Sequence, residues 1–198
     1  MATLDKNMLH EISFTGKLLV ALPSLHASCF AKAVIYICNH DASGAMGLIV
    51  NNSINELDYP AVLKQFNIPI ITELDSRSKM PIHFGGPVDM VKGFVLHTPD
   101  YSSGDTFNVG ENVSLTSNIQ ILRDITTGTG PRKRMLALGY AGWGPGQLET
   151  EIKQGSWFTV PSSEELIFDE NNSNKWKQAA SLAGIRDPFM FSREVGHA

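Results

Sequence analysis

The sequence has few of the features that identify secreted or membrane-embedded proteins. Only two of its 198 residues are cysteines, Cys29 and Cys38, which is too few to indicate a disulfide-stabilised secreted domain. The longest apolar runs, such as residues 18–22, are far too short to span a bilayer. Residues 1–14 also lack the apolar stretch of a signal peptide. We therefore expect a cytoplasmic protein with no membrane partner.

The chain also lacks an excess of positive charge. Sixteen Lys and Arg residues face twenty Asp and Glu residues, which gives a net charge of −4. Binding to nucleic-acid phosphates needs clustered basic residues, and the only basic triplet, residues 132–134, is predicted to lie in a solvated loop. Nucleic-acid binding is therefore an alternative that the charge does not support.

The common catalytic signatures are missing as well. There is no G-x-S-x-G, no G-x-x-x-x-G-K-[ST] and no H-E-x-x-H, and the glycines at 142, 144 and 146 have Pro145 among them. We therefore expect no cofactor. His26, Cys29, Cys38 and His40 form an H-x2-C…C-x-H pattern that resembles a zinc set, but the C-x-H spacing is short for a zinc finger, so no metal is predicted.

The chain contains enough apolar residues to form the core of one domain, which we predict over residues 1–198. Residues 1–13 and 188–198 are predicted to be loose arms. β-Branched and apolar runs bounded by Gly, Pro and Asn predict strands at 18–22, 33–38, 44–51, 81–84, 93–97, 106–109, 113–115, 135–140 and 156–160. Strands follow strands more often than they alternate with helices. This order predicts an α+β fold with a mixed, mostly antiparallel sheet.

Helical spacing and capping residues predict five helices. Three are expected at about residues 58–66, 147–153 and 173–183. Two more are predicted from capping boxes, one with Ser117 as N-cap and Gln120 three residues later, the other with Ser162 and Glu165.

Two glycine-rich segments are candidates for a binding site. Gly85-Gly86-Pro87-Val88 offers either a pocket of backbone N–H groups for an anion or carbonyl, or only a tight turn between two strands. The second segment, residues 139–147, leaves a predicted strand and opens a helix on which Gln147 and Glu151 share one face beside Trp143. The alternative there is a surface helix with a packed Trp.

Three histidines are candidates for acid–base chemistry. His40, His83 and His97 lie in or at the ends of predicted strands, and His97 ends its strand, where site residues are common. A lone histidine in a strand is, however, more often structural.

Several strings resemble the bacterial YqgE/AlgH family, also called UPF0301 or DUF179. They include Gly16-Lys17-Leu18-Leu19, residues 44–51 (GAMGLIVN), Gly85-Gly86-Pro87-Val88, residues 93–97 (GFVLH), residues 138–143 (LGYAGW) and Gly146-Gln147-Leu148-Glu149. The resemblance implies an α+β fold with a bifurcated sheet that is partly closed into a small barrel and surrounded by helices. Residues 25–30 depart from the family, which usually has an acidic residue shortly before Phe30.

The resemblance implies little about activity, although the AlgH name carries a claim of transcriptional regulation. We expect a non-enzymatic regulator or binding protein whose partner is a protein or a small molecule. The alternatives are a DNA-binding factor, or a hydrolase or transferase acting on a phosphorylated or acyl substrate through His97 or His40 with Glu151. The expected ligand-binding cleft consists of Asn51, Gly85, Gly86, Pro87, Val88, His97, Tyr140, Gly142, Trp143, Gln147 and Glu151.

Overall fold

Alternating strands and short helices build the chain in a computed structural model that describes residues 13–70 and 80–185. The arms predicted at 1–13 and 188–198 lie, apart from Ser13, outside these residues. The strands within these residues are β1 (Lys17–Ala21), β2 (Val34–Asp41), β3 (Gly44–Ile49), β4 (Ile82–Phe84), β5 (Val88–His97), β6 (Thr106–Asn108), β7 (Ser114–Thr116), β8 (Arg134–Trp143) and β9 (Trp157–Pro161). The α-helices in the same part of the chain are α1 (Tyr59–Gln65), α2 (Gln120–Thr126), α3 (Gln147–Lys153), α4 (Glu164–Phe168) and α5 (Asn172–Leu182).

Strand β8 holds the sheet together. The strand order is β6-β7-β5-β8-β3-β2-β1-β9, with β4 added to β8 outside this path. The first half of β8 pairs with β5 and β4, and its last residues pair with β3. The sheet is therefore bifurcated at β8, as expected, and it curls into a half-barrel.

All described strand pairs are antiparallel except β4–β8. This arrangement confirms the predicted α+β class. The predicted strands are present, and β8 is longer than the pattern suggested because it continues through Gly139 and Gly142, two glycines that usually weaken a strand.

The two predicted capping boxes are replaced by neighbouring residues. Helix α2 begins at Gln120, whose N–H donates to Oδ1 of Asn118 at 2.8 Å rather than to Ser117. Helix α4 is capped by Ser163, because the hydroxyl of Ser162 instead donates to the Gly16 carbonyl at 2.6 Å. The predicted N-cap of α2 is wrong by two residues, since the N-cap is Ile119 and a nearer side chain, Asn118, accepts the Gln120 N–H. The predicted N-cap of α4 is wrong by one residue, because a tertiary contact engages Ser162.

Three apolar clusters fill the interior. The largest lies between the sheet and α4–α5, where Trp176 and Ala179 are buried. A second lies under α1 and α2 and includes Leu63 and Ile121. The third gathers around Trp143 and Trp157. The start of β8 packs in the second cluster and its end packs in the third. Candidate residues at the two ends of β8 therefore have different neighbours.

Candidate functional site

The Gly85–Val88 segment crosses β8 at very short range. The Gly85 N–H donates to the Leu138 carbonyl at 2.8 Å, and the Gly85 carbonyl accepts from the Ile49 N–H at 2.9 Å. A Cβ on Gly86 would overlap the backbone of Tyr140. Close packing of two main chains thus accounts for both glycines, and the Gly85 N–H is used within the protein.

Gly139 is the matching glycine on β8. It has a φ of +70°, and a Cβ there would overlap the Gly86 carbonyl and lie 3.0 Å from the Val88 carbonyl. Between the pairs Val88–Tyr140 and Gly93–Leu138, β5 has four residues, 89–92, whereas β8 has only Gly139. We call residues 89–92 the β5 bulge. An insertion of this kind re-aims side chains away from the regular ladder.

The β5 bulge exposes apolar side chains. Met90 is 55% exposed and Val91 is 88% exposed, and the adjoining Val88 is 39% exposed. Asp89 has a φ of +47°, a conformation that is uncommon outside glycine and that Asp tolerates better than most residues. Lys92 places Nζ 5.2 Å from the ring centroid of Phe94. The predicted Gly-Gly-Pro-Val site is therefore followed in the chain by the exposed apolar side chains of the β5 bulge.

At the other end of the candidate region, Glu151 joins two tryptophans. Its Oε2 accepts the indole N–H of Trp143 and that of Trp157, each at 2.8 Å. Its Oε1 accepts from Nε2 of Gln147 at 2.8 Å, and Oε1 of Gln147 accepts the Gly144 N–H at 3.0 Å. We call Trp143, Gln147, Glu151 and Trp157 the Glu151 cluster. Gln147 and Glu151 share a face beside Trp143, as predicted, but their polar atoms hold the fold together.

His97 lies far from that cluster. It pairs with Arg134, nine residues from Trp143 along β8, which is about 30 Å of extended strand. The ring is fully buried and contacts the Thr98 carbonyl at 2.8 Å and Oγ1 of Thr116 at 2.9 Å. Burial lowers the pKa of His97. The structure thus separates His97 from Glu151, because the two residues sit at opposite ends of one strand.

His40 pairs with a different glutamate. Its Nδ1 accepts the Phe14 N–H at 3.2 Å, so Nε2 carries the proton of the neutral ring and donates to Oε1 of Glu149 at 3.1 Å. The His40 side chain is only 7% exposed. Glu149 and Glu151 are two residues apart on α3 and point to different partners, so the structure does not bring His40 to Glu151 either.

The remaining cleft candidates divide between two places. Tyr140 packs edge-on against Phe94, with ring centroids 5.9 Å apart, and Gly142 is an exposed neighbour on β8. Asn51 lies beyond the end of β3, where its side chain bonds the Val34 N–H at 2.8 Å and the Lys32 carbonyl at 2.9 Å. Gly85–Val88 therefore lies against Tyr140, whereas Asn51 braces a strand end.

The zinc-like pattern and the basic triplet are not assembled as sites. Cys38 is buried, which raises the pKa of its thiol, and Cys29 is exposed. Residues 13–70 and 80–185 contain no group of three or more His, Cys, Asp or Glu side chains placed to hold a metal. Arg132 and Lys133 both pair with Glu164, at 3.1 and 2.9 Å. Arg134 donates from Nη1 to the Pro131 carbonyl at 2.6 Å.

A cavity of about 650 Å3 lies at the start of β8, the end opposite Trp143. No pattern in the sequence predicted it. Its walls come from residues 53–60, β4, the start of β8 and the α4–α5 corner. Lys175 is 1% exposed, and its Nζ donates to the Val50 and Ile167 carbonyls at 2.7 and 2.8 Å. Burial lowers the pKa of Lys175 to about 8.

His83 is the second buried polar residue of this cavity. It is 2% exposed, and its Nε2 lies 3.2 Å from Oδ1 of Asn172. Its Nδ1 has no hydrogen-bond partner within the described parts of the chain. Burial is the main reason that the pKa of His83 falls to about 4. The sequence singled out His83 but could not place it beside Asn172, which is 89 residues further along the chain.

No helix within residues 13–70 and 80–185 is long and apolar enough to cross a membrane.

Comparison with known proteins identifies the family. The AlgH-like family DUF179 matches residues 18–187. A UPF0301 protein from Jannaschia sp. is 43% identical over 194 residues, covering 97% of this chain and 98% of that protein. A UPF0301 protein from Agrobacterium fabrum is 44% identical over 189 residues, covering 94% of each chain.

Two solved structures share the fold. The solution structure of the AlgH protein from Pseudomonas aeruginosa has a TM-score of 0.74 and 31% identity, with both chains fully covered. Protein DIP2367 from Corynebacterium diphtheriae has a TM-score of 0.65 and 22% identity over 85% of each chain, a likeness in fold alone. The family match over residues 18–187 and the relatives at 43% and 44% identity show that the chain belongs to the AlgH-like family, UPF0301.

Proposed function

We propose that this chain is a non-enzymatic regulator or adaptor that binds an apolar segment of a partner protein. The binding surface consists of Pro87, Val88 and the β5 bulge, together with the exposed β8 residue Gly142. The observation that carries the proposal is the exposure of Met90 and Val91, at 55% and 88%, in a bulge that a rigid glycine crossing anchors. Exposed apolar residues grouped in this way are typical of interaction sites.

The state of the candidate catalytic groups supports a binding role over an enzymatic one. The His97 ring bonds Thr98 and Thr116, and the carboxylate of Glu151 accepts three hydrogen bonds from within the protein. A general base needs reach to the proton that it removes from a substrate. Groups held in this way contribute to stability, and they leave the hydrolase or transferase alternative without its expected pair.

A photo-crosslinking experiment tests the proposal. A benzoylphenylalanine is placed at Val91 in one version of the full chain and at Phe107, which is 51% exposed on β6, in a matched control. In cells, we expect the Val91 position to give a discrete protein adduct that the Phe107 position does not give. The adduct should disappear when Met90→Asp is added.

The captured partner is then purified and its affinity is measured. Because a few central apolar residues carry most of the energy of an interface, Val91→Asp should weaken binding at least about tenfold. Phe107→Asp should leave it unchanged. Equal adducts at both positions, or equal loss of affinity in both variants, would contradict the proposal.

A further inference from the structure

A second site, independent of the proposed partner surface, lies in the cavity at the start of β8. Its volume of about 650 Å3 falls within the range of small-molecule pockets in proteins, roughly 300–1,000 Å3. Ile54, Met80, Ile82 and Met135 give it apolar walls. The cavity is thus large enough and apolar enough for a compact organic molecule.

His83 gives the cavity one specific polar group. Nε2 faces Oδ1 of Asn172, and an amide oxygen can only accept, so Nε2–H is the donor of that contact. The neutral ring has one proton, so Nδ1 is left as a bare acceptor. The Pro81 carbonyl raises the pKa of His83 through a hydrogen bond to the charged ring, but it accepts the Leu136 N–H at 2.9 Å and has no proton to give to Nδ1 of the neutral ring. Neither group can satisfy the other without a donor between them.

A buried acceptor with no donor carries an uncompensated desolvation cost, and native proteins keep few of them. His83 is 2% exposed, so bulk water does not satisfy it. A ligand that donates an N–H or O–H to Nδ1 would remove this cost. The missing partner of Nδ1 must therefore be a hydrogen-bond donor.

The charges around the cavity oppose an anionic ligand. Three carboxylates, those of Asp58, Asp169 and Glu170, line it together with two cationic side chains. One of the cations, Lys175, directs its Nζ to two backbone carbonyls. The other, Arg134, donates to the Pro131 carbonyl. A negative ligand would gain little from cations that are already engaged and would meet the carboxylates.

We propose that this cavity binds an uncharged, mainly apolar small molecule whose N–H or O–H donates a hydrogen bond to Nδ1 of His83. Asn172 is the positioning residue, because its Oδ1 holds the ring proton on Nε2. Lys175 closes the inner wall by tying α5 to the ends of β3 and α4.

The first test determines which ring nitrogen of His83 carries the proton. The six histidines of the chain are labelled with 15N, and the ring nitrogens are observed by long-range proton–nitrogen correlation at pH 7. The His83 signals are assigned by their loss in His83→Gln. We expect Nδ1 at the position of an unprotonated nitrogen and Nε2 at that of a protonated one. A proton on Nδ1 would overturn the proposal.

The second test uses three probes that share one ring system: indole, 1-methylindole and indole-3-carboxylate. One neutral hydrogen bond is worth about 1 kcal/mol, so indole should bind roughly three- to tenfold more tightly than 1-methylindole. Indole alone should shift the Nδ1 signal of His83. Indole-3-carboxylate should bind more weakly than indole.

A variant separates the hydrogen bond from the apolar cavity. In His83→Leu, the preference for indole over 1-methylindole should disappear while both still bind. Equal binding of the two probes to the wild-type chain, a preference that survives in His83→Leu, tighter binding of the carboxylate, or no binding by any probe would each refute the assignment. None of these outcomes depends on the β5 bulge, so they do not test the proposed partner-binding surface.

Discussion

The Glu151 cluster and the cavity that His83 lines at the start of β8, the His83 cavity, differ in whether their polar groups are paired. Around Glu151, both carboxylate oxygens and both indole N–H groups are paired. In the cavity, Nδ1 of His83 is left without a partner. The first region had the richer sequence motif, yet the second has the unmet hydrogen bond. A cluster of polar residues therefore signals a ligand only when it leaves a bonding capacity unused.

Gly139 lies between the two regions, and its substitution should have the largest effect. In Gly139→Ala, a Cβ would overlap the Gly86 carbonyl at a φ of +70°. Overpacking of about 3 kcal/mol and left-handed strain of about 2 kcal/mol predict a loss of about 5 kcal/mol in unfolding free energy. Urea denaturation followed by tryptophan fluorescence measures it.

Gly146→Ala is the matched control for Gly139→Ala. Gly146 has the same φ of +70°, but nothing lies within 4 Å of a Cβ placed there. Only the conformational cost of about 2 kcal/mol should remain. Equal losses in the two variants would show that backbone conformation, and not the crossing with Gly86, makes Gly139 necessary.

Removing the carboxylate of the Glu151 cluster should have the next largest effect. Glu151→Ala leaves the indole N–H groups of Trp143 and Trp157 without an acceptor, and these side chains are 7% and 2% exposed. At roughly 2 kcal/mol for each buried donor, we expect a loss of about 4 kcal/mol. Glu149→Ala, which removes a 33% exposed partner of His40, should cost less than half as much. A larger loss in Glu149→Ala would contradict the structural role of Glu151.

The buried His83 should make the unfolding free energy depend on pH. The pKa of His83 is about 4 in the folded chain and about 6.5 in an unfolded one, so the unfolded chain binds more protons between these values. Stability is therefore fully present above about pH 6.5 and falls as the pH is lowered towards 4, by about 3 kcal/mol from this residue. His83→Gln should lose that part of the pH dependence. His97, whose pKa is also lowered, contributes equally to both chains.

Unfolding free energies at pH 7 and pH 4.5 for the wild-type chain and His83→Gln provide the measurement. The difference between the two chains should shrink at the lower pH. A pH dependence that is the same in both would mean that His83 is protonated in the folded state, and the contrast with the fully paired Glu151 cluster would fail.

The smallest effect is expected at the β5 bulge. Val91 is 88% exposed, so Val91→Asp should change the unfolding free energy by no more than about 0.5 kcal/mol. The same urea denaturation measures this change. A loss above 2 kcal/mol would show that Val91 packs within the fold, and its use as a partner-binding residue would have to be abandoned.

The sequence predicted local structure well and the candidate site only in part. Strand alternation and turn residues placed the strands, and the helical spacing of Gln147 and Glu151 placed both on one face beside Trp143. Capping was predicted one residue away because Ser162 bonds Gly16, 146 residues earlier in the chain. Such tertiary contacts leave no trace in a local pattern.

Pairing across long sequence separations explains the other differences. His97 and Trp143 both belong to the β5–β8 region, but only the strand register shows that they lie about 30 Å apart. Asn172 and His83 meet because α5 packs near β4. The pattern at Gly85 and Gly86 predicts a backbone pocket or a tight turn. In the structure these glycines and Gly139 allow two backbones to pass at short range, a requirement that no single segment reveals.

The late position of β8 in the chain has a consequence for synthesis on the ribosome. β1, β2 and β3 form a meander by residue 49, but its outer edges are covered only by residues 141–143 of β8 and 157–161 of β9. A nascent chain that has emerged only to residue 130 would therefore expose two open edges beside an apolar face. Such unpaired edges can bind strands of other chains. The β1–β3 meander is therefore open to aggregation until β8 and β9 have been translated.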